Sequence, residues 1–104
     1  MNQVIDGFSL EDVRANIDRI DRKIVALLAA RGGYVKQAAR FKKTTNEVRA
    51  PQRVEQVIAK VTALSEELGA NPSVTEQVYR AMISGFIDAE LAEHSAIQSN
   101  VTKP

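Results

Sequence analysis

The sequence predicts an all-α fold of three helices with a long first helix, and three observations support this prediction. Apolar residues recur every three or four positions along most of the 104 residues. No segment alternates apolar and polar residues as a half-buried strand would. Start and stop signals divide the apolar pattern into three helices. We therefore expect one helical domain over residues 1–104, with residues 1–8 and 98–104 frayed.

The first helix is predicted over residues 10–43. Ser9 and Asp12 form a capping box before it. Gly32 and Gly33 inside the helix would either kink it or let another helix or a ligand come close, and we favour close approach. The predicted length is about three times that of an average helix. One apolar stripe contains Val13, Ile17, Ile20, Ile24, Leu27, Leu28, Tyr34, Val35, Ala38 and Phe41.

The second helix is predicted to begin at Pro51, after a polar linker over residues 44–49. Proline suits the first helical turn, and Gly69 suits the residue that follows a helix. The stripe between these two signals contains Val54, Val57, Ile58, Val61, Leu64 and Leu68.

The third helix is predicted to open with a capping box of Ser73 and Glu76 and to run to about Ala96. Its apolar positions are Val74, Val78, Met82, Ile83, Phe86, Ile87 and Leu91.

Composition excludes several classes of function. The net charge is only +1, and the short basic run at residues 41–43 is a weak signal, so nucleic acid is not an expected partner. The chain has no cysteine and a single histidine, His94, which predicts no metal site; we expect His94 on the surface. No apolar run reaches 18 residues and no leader pattern opens the chain. We expect a cytoplasmic protein without a membrane partner.

Two cations are the first candidate site residues. Arg31 and Lys42 are eleven positions apart, so on one straight helix they would lie within about 20° of each other and about 16 Å apart along the axis. A cation on an apolar stripe is costly without a partner, which indicates a pocket for a small polyanion. Glu90 shares the apolar face of the third helix with Ile83 and Ile87.

Arg14 requires a second chain if it belongs to the same pocket. It lies about 25 Å from Arg31 along the axis and about 100° around it, too far for one small ligand. In an antiparallel pair of first helices with a two-fold axis near Val25, Arg14 of one copy faces residue 36 of the other, between Arg31 and Lys42. The same pairing would bury the long stripe. The sequence therefore predicts an intertwined helical homodimer with shared sites.

Three segments of the chain resemble a known family. They are VRANIDRIDRKIVALLAARGGYVKQAARFK over residues 13–42, APQRV over 50–54 and FIDAE over 86–90. Together with the length and helix order, they resemble the all-helical chorismate mutase family, and within it the isochorismate pyruvate-lyase branch.

The resemblance implies a site for a dicarboxylate substrate at the subunit boundary. Arg14 of one subunit and Arg31 of the other would hold its carboxylates, and Arg53 would line the pocket. Lys42 would contact the ether oxygen as a catalytic residue. The apolar walls would come from Val35, Ile83 and Ile87.

The resemblance also implies a pericyclic reaction that needs no cofactor. The candidates are isochorismate to salicylate and pyruvate, with overlapping mutase activity, or chorismate to prephenate as the main activity. Ala50 and Val54 replace acidic residues typical of mutases, which favours the lyase. Glu90 stands where many relatives have glutamine, and is the second predicted catalytic residue. A protonated Glu90 could donate to the ether oxygen, so activity should fall as pH rises.

A different class of function is a non-enzymatic helical dimer that serves as an interaction or regulatory module. In that case Arg31→Ala would leave a stable dimer with no loss of small-anion binding. An enzyme would lose turnover.

Overall fold

The described residues form only helices, which confirms the all-α prediction. A computed structural model describes Val4 and residues 6–102, with side chains up to Ser95. The helices are α1 (Leu10–Ala39), α2 (Thr45–Arg49), α3 (Pro51–Leu68) and α4 (Pro72–Thr102). Three long helices occur in the predicted order, and the short helix α2 was not predicted. The chain divides into two compact units, Met1–Tyr34 and Val35–Pro104, and the single domain remains a prediction.

The start of α1 is as predicted. Ser9 Oγ accepts a hydrogen bond from the amide of Asp12 at 3.1 Å, and the Asp12 carboxylate accepts from the amide of Phe8 at 3.1 Å. The helix continues through both internal glycines, and a Cβ added to Gly33 would meet nothing within 4 Å in the described part of the chain. The predicted close approach at Gly33 is therefore not seen among the described residues.

The end of α1 corrects the prediction of a helix to residue 43. The amides of Arg40, Phe41 and Lys42 donate to carbonyls three residues earlier, at 3.0 to 3.3 Å, so the last turn is tighter than an α-helix and the helix ends at Ala39. Phe41 is 85% exposed instead of lying on a packed stripe. Lys42 is outside the helix, so the straight-helix spacing between Arg31 and Lys42 is wrong.

A short helix follows where a polar linker was predicted. Thr44 Oγ1 accepts from the amide of Glu47, and the Glu47 carboxylate accepts from the amide of Lys43. These bonds cap α2. Ala50 ends it in the left-handed region, at φ 39° and ψ 59°, and also immediately precedes α3.

Both predicted ends of α3 are confirmed. Pro51 occupies the first turn, and Gly69 adopts φ 76° directly after the helix. The amide of Ala70 donates to the carbonyl of Ser65 at 2.8 Å, which satisfies a carbonyl of the last turn. Only glycine adopts this backbone conformation without a steric penalty.

The start of α4 differs from the predicted capping box. Asn71 Oδ1 accepts from the amides of Ser73 and Val74 at 3.0 and 3.3 Å, so Asn71 is the capping residue and Pro72 the first helical residue. Asparagine followed by proline is the stronger signal. The helix extends to Thr102, past the predicted end near residue 96. The predicted fraying of residues 1–3, 5, 103 and 104 lies outside the described residues.

The second unit contains a buried core, in which α2 and α3 pack against α4. Its buried apolar side chains are Ala39, Val48, Ile58, Val61 and Ile83. At the surface, Arg80 of α4 binds both carboxylate oxygens of Glu55 of α3 at 3.0 and 3.1 Å, and its Nε donates to Glu76 at 2.8 Å. The hydrogen bond from Arg80 lowers the pKa of Glu55. The hydrogen bonds to Glu55 and Glu76 raise the pKa of Arg80.

The first unit presents an apolar stripe to solvent. Its large exposed side chains include Val13, Ile17, Ile20, Ile24, Leu27 and Tyr34. Large exposed apolar patches are typical of surfaces that bind another molecule. No helix within the described residues has the length and apolar character that crossing a membrane requires.

Candidate active site

A part-buried ion pair joins the turn after α1 to α4 in the second unit. Lys42, in the turn after α1, donates from Nζ to Glu90 Oε2 on α4 at 2.7 Å. The Glu90 side chain is only 5% exposed, and that of Lys42 is 26% exposed. The predicted position of Glu90 on the inner face of the helix agrees with this burial. Removing one partner of a buried pair leaves an uncompensated charge, which costs about 3 to 5 kcal/mol.

His94 is buried beside this pair, which corrects its predicted place on the surface. It is 6% exposed, and its Nε2 lies 2.9 Å from the main-chain oxygen of Lys42. Because a carbonyl oxygen only accepts hydrogen bonds, Nε2 carries the proton. Glu90 and His94 are four positions apart and so occupy one face of α4, where both bind Lys42.

An open pocket of about 600 Å³ begins at Lys42 and follows α2 to the first turn of α3. Arg53 lies on its far side, so two of the predicted site cations share one pocket. Ala50 is one of the lining residues, and its side chain lacks the hydrogen-bond acceptor that an acidic residue would have there. The full lining is Phe41, Lys42, Asn46, Glu47, Ala50, Pro51, Gln52 and Arg53.

The three predicted wall residues lie elsewhere in the second unit. Ile83 is 7% exposed and belongs to the core, whereas Val35 and Ile87 are half-buried. None of the three lines the open pocket beside Lys42. Their role around a substrate ring remains a prediction.

The two predicted carboxylate-binding arginines belong to the first unit. Arg14 is exposed near the start of α1, and Arg31 is half-buried further along the same helix. The structure therefore groups Lys42, Glu90 and Arg53 within one unit. Joining Arg14 and Arg31 to that group remains a prediction.

Two features of the site were missed from the sequence. Thr44 and Glu47 have the spacing of a capping box, and that signal predicts α2 and hence the pocket floor. His94 follows Glu90 by four residues, and that spacing places it on the same inner face. The prediction that His94 lies on the surface rests on its residue type alone and does not use this spacing.

These features define a class: a small all-helical protein in which a lysine paired with a buried glutamate lines an open pocket together with an arginine. Residues 13–91 match the family described as chorismate mutase type II. The chain is also 35% identical over 86 residues to the isochorismate pyruvate lyase of Pseudomonas aeruginosa, covering 83% of this chain and 85% of that protein. The chain belongs to the chorismate mutase type II family.

Proposed function

We propose that this protein is a cofactor-free pericyclic enzyme that converts isochorismate to salicylate and pyruvate, with overlapping chorismate mutase activity. The observation that carries the proposal is that Lys42, whose ammonium lies 2.7 Å from the buried carboxylate of Glu90, lines a pocket together with Arg53. Such a fixed cation suits a reaction in which charge develops on one oxygen. The similarity to a pyruvate lyase supports the substrate class.

The reaction requires little beyond positioning and a fixed positive charge. The enolpyruvyl side chain must fold over the ring, and a hydrogen passes to its terminal carbon while the bond between ring carbon and ether oxygen breaks. Negative charge grows on that oxygen, and Lys42 donates a hydrogen bond to it. Arg14 and Arg31 hold the two carboxylates, since guanidinium groups bind carboxylates in a two-pronged geometry. Loss of one such donor typically costs about 10²- to 10³-fold in rate.

Lyase activity is favoured over mutase activity by the wall of the pocket. Ala50 lines the pocket, and Val54 follows Arg53 as a half-buried apolar residue. Neither side chain can accept a hydrogen bond from the hydroxyl of chorismate. A site without that acceptor discriminates less against a substrate whose hydroxyl is elsewhere on the ring. Chorismate to prephenate is the second candidate, favoured by the family match.

Glu90 has two possible roles, which one variant separates. A protonated Glu90 would donate to the ether oxygen, so turnover would fall as pH rises, and Glu90→Gln would flatten the pH profile. An ionised Glu90 would instead hold Lys42 in place, and Glu90→Gln would lower turnover at every pH. If the variant retains the pH dependence of the parent, the first role is ruled out.

The active form is proposed to be an intertwined homodimer. The stripe of the first unit is exposed over six large apolar side chains, and a second copy of α1 would cover it. Pairing of this kind would bring Arg14 of one chain to the pocket of the other. A dimer is thus needed both to bury the stripe and to complete the carboxylate site.

The direct test supplies purified protein with isochorismate and, separately, chorismate, and follows salicylate and prephenate. We expect the higher kcat/KM on isochorismate and a measurable rate on chorismate. Lys42→Ala should lose about 10²- to 10³-fold of both rates. Absence of turnover on both substrates would contradict the proposed enzymatic function and favour a non-enzymatic interaction module.

Shared sites can be tested by complementation. Arg14→Ala and Lys42→Ala should each be inactive alone, but a mixed dimer has one intact site, built from the unchanged Lys42 of one chain and the unchanged Arg14 of the other. Random co-assembly should restore about a quarter of the parental activity, because about half the dimers are mixed and each has one good site. No restoration in verified mixed dimers would show that each site uses its own chain's Arg14.

A further inference from the structure

We propose that His94 is a positioning residue for Lys42, an inference that rests on the proposed function of that lysine. His94 is 6% exposed and donates from Nε2 to the main-chain oxygen of Lys42 at 2.9 Å. It has no place in the reaction as described above. Its contact is with the residue that we expect to act on the ether oxygen.

The backbone at Lys42 needs such a support. The amide of Lys42 donates to Ala39 in the closing turn of α1, but α2 begins only at Thr45. The carbonyl of Lys42 therefore lies between two helices rather than within one. The buried ring of His94 supplies a donor to this carbonyl from a third helix, α4.

The two contacts from α4 fix both ends of one residue. Glu90 accepts from the ammonium group of Lys42, and His94, one turn later, binds its main-chain oxygen. A lysine side chain has four rotatable bonds, so an ion pair alone leaves its Cα free to shift. With the backbone also held, the position of the ammonium is defined relative to α4. Preorganised charge is effective in catalysis only when it is held in this way.

The effect on catalysis should appear in kcat. A displacement of about 1 Å in a catalytic group lowers the rate by up to about 100-fold. His94→Phe keeps an aromatic ring but removes the donor, and should lower kcat by about 10- to 100-fold with KM changed less than about threefold. His94→Gln restores an N–H donor and should recover kcat to within about threefold of the parent. Ser95→Ala, at an exposed neighbouring position, is the control and should change neither constant.

A double-mutant cycle separates positioning from a general structural role. In a Lys42→Met background, His94→Phe should change the residual kcat by less than about twofold, because the group it positions is already missing. An equal loss in both backgrounds would overturn the proposal. So would an unchanged kcat in His94→Phe, or a His94→Gln variant that loses as much turnover as His94→Phe.

A spectroscopic measurement keeps this proposal distinct from the proposed function. In labelled protein, the ring nitrogens should report the proton on Nε2, and the carbonyl signal of Lys42 should move in His94→Phe but little in His94→Gln. If the parent converts neither substrate, the proposed function fails while this contact is still measured. A Lys42 carbonyl signal that does not respond to His94→Phe would overturn the positioning role even in an active enzyme.

Discussion

The two units of the chain carry similar apolar patterns but bury them to very different extents. In the second unit, Ile58 and Ile83 are 6% and 7% exposed. In the first unit, Ile20 and Ile24 are 49% and 48% exposed, although their spacing on the helix is as regular. A helical stripe thus predicts that a face will be covered, but not whether the cover comes from the same chain. The core therefore lies in the second unit, and the exposed stripe of the first unit is where the proposed dimer would form.

The largest effect should come from a charge on the exposed stripe. Ile24→Asp would bury an unpaired carboxylate twice in a symmetric dimer, so we expect at least a 100-fold weaker dimer, or about 3 kcal/mol. Sedimentation equilibrium measures this change. Ala26→Asp adds the same charge on the opposite side of α1 and serves as the control. If both variants dimerise equally, the stripe is not the interface.

The second prediction concerns the core of the second unit. Ile58→Ala removes a buried side chain and leaves a cavity, so the free energy of unfolding should fall by about 2 to 4 kcal/mol. Urea denaturation measures the loss. Val74→Ala, at a position that is 53% exposed, should cost about 1 kcal/mol or less. Equal losses for the two variants would show that burial in the second unit is not what stabilises it.

A smaller effect is expected at Ala50, whose φ of 39° is unfavourable for a residue with a Cβ. Ala50→Gly should raise the free energy of unfolding by about 0.5 kcal/mol, because relief of strain exceeds the added entropy of the unfolded chain. The same substitution at Ala63, inside α3, should lower it by about 1 kcal/mol. Denaturation curves with the same sign for both variants would contradict a strained left-handed alanine.

The smallest effect should come from the surface pair between Glu55 and Arg80. The hydrogen bond from Arg80 lowers the pKa of Glu55 from its ordinary value of 4.5, so the pair stabilises the fold above that pH. This contribution is lost as pH falls through the lowered pKa. The melting temperature of Glu55→Gln should be slightly below that of the parent at pH 7, and the difference should vanish in acid. Glu66→Gln, at an exposed acid of the same helix, is the control. A difference that persists in acid would exclude the ion pair as its cause.

Single-residue boundary signals were the most reliable predictors of the fold. Pro51 and Gly69 each impose a backbone conformation, and both ends of α3 follow from them. The end of α1 could not be predicted in the same way, because the apolar periodicity continues to Phe41 after the helical hydrogen bonds have changed. The boundary follows from the tight turn at residues 40–42, which the apolar pattern does not reveal.

The sequence predicts which residues belong to the candidate site better than it predicts their relative positions. The spacing of Glu90 on α4 predicts its burial, because the residues three and seven positions earlier are apolar. Its contact with Lys42 depends on a turn that the periodicity does not reveal. His94 was missed because a lone histidine has no pattern of its own, and only its distance from Glu90 along the helix indicates its position.

Ala50, the left-handed residue between α2 and α3, also limits where this part of the chain can accept an insertion. Ala50 is the whole connection, since its amide donates to Asn46 and its carbonyl accepts from Val54, so the two helices share one residue without any slack. An insertion there would turn the face of α3 by about 100° and carry Arg53 away from Lys42. Insertions and deletions that preserve function should therefore be rare at Ala50 and more frequent in the segment before Pro72.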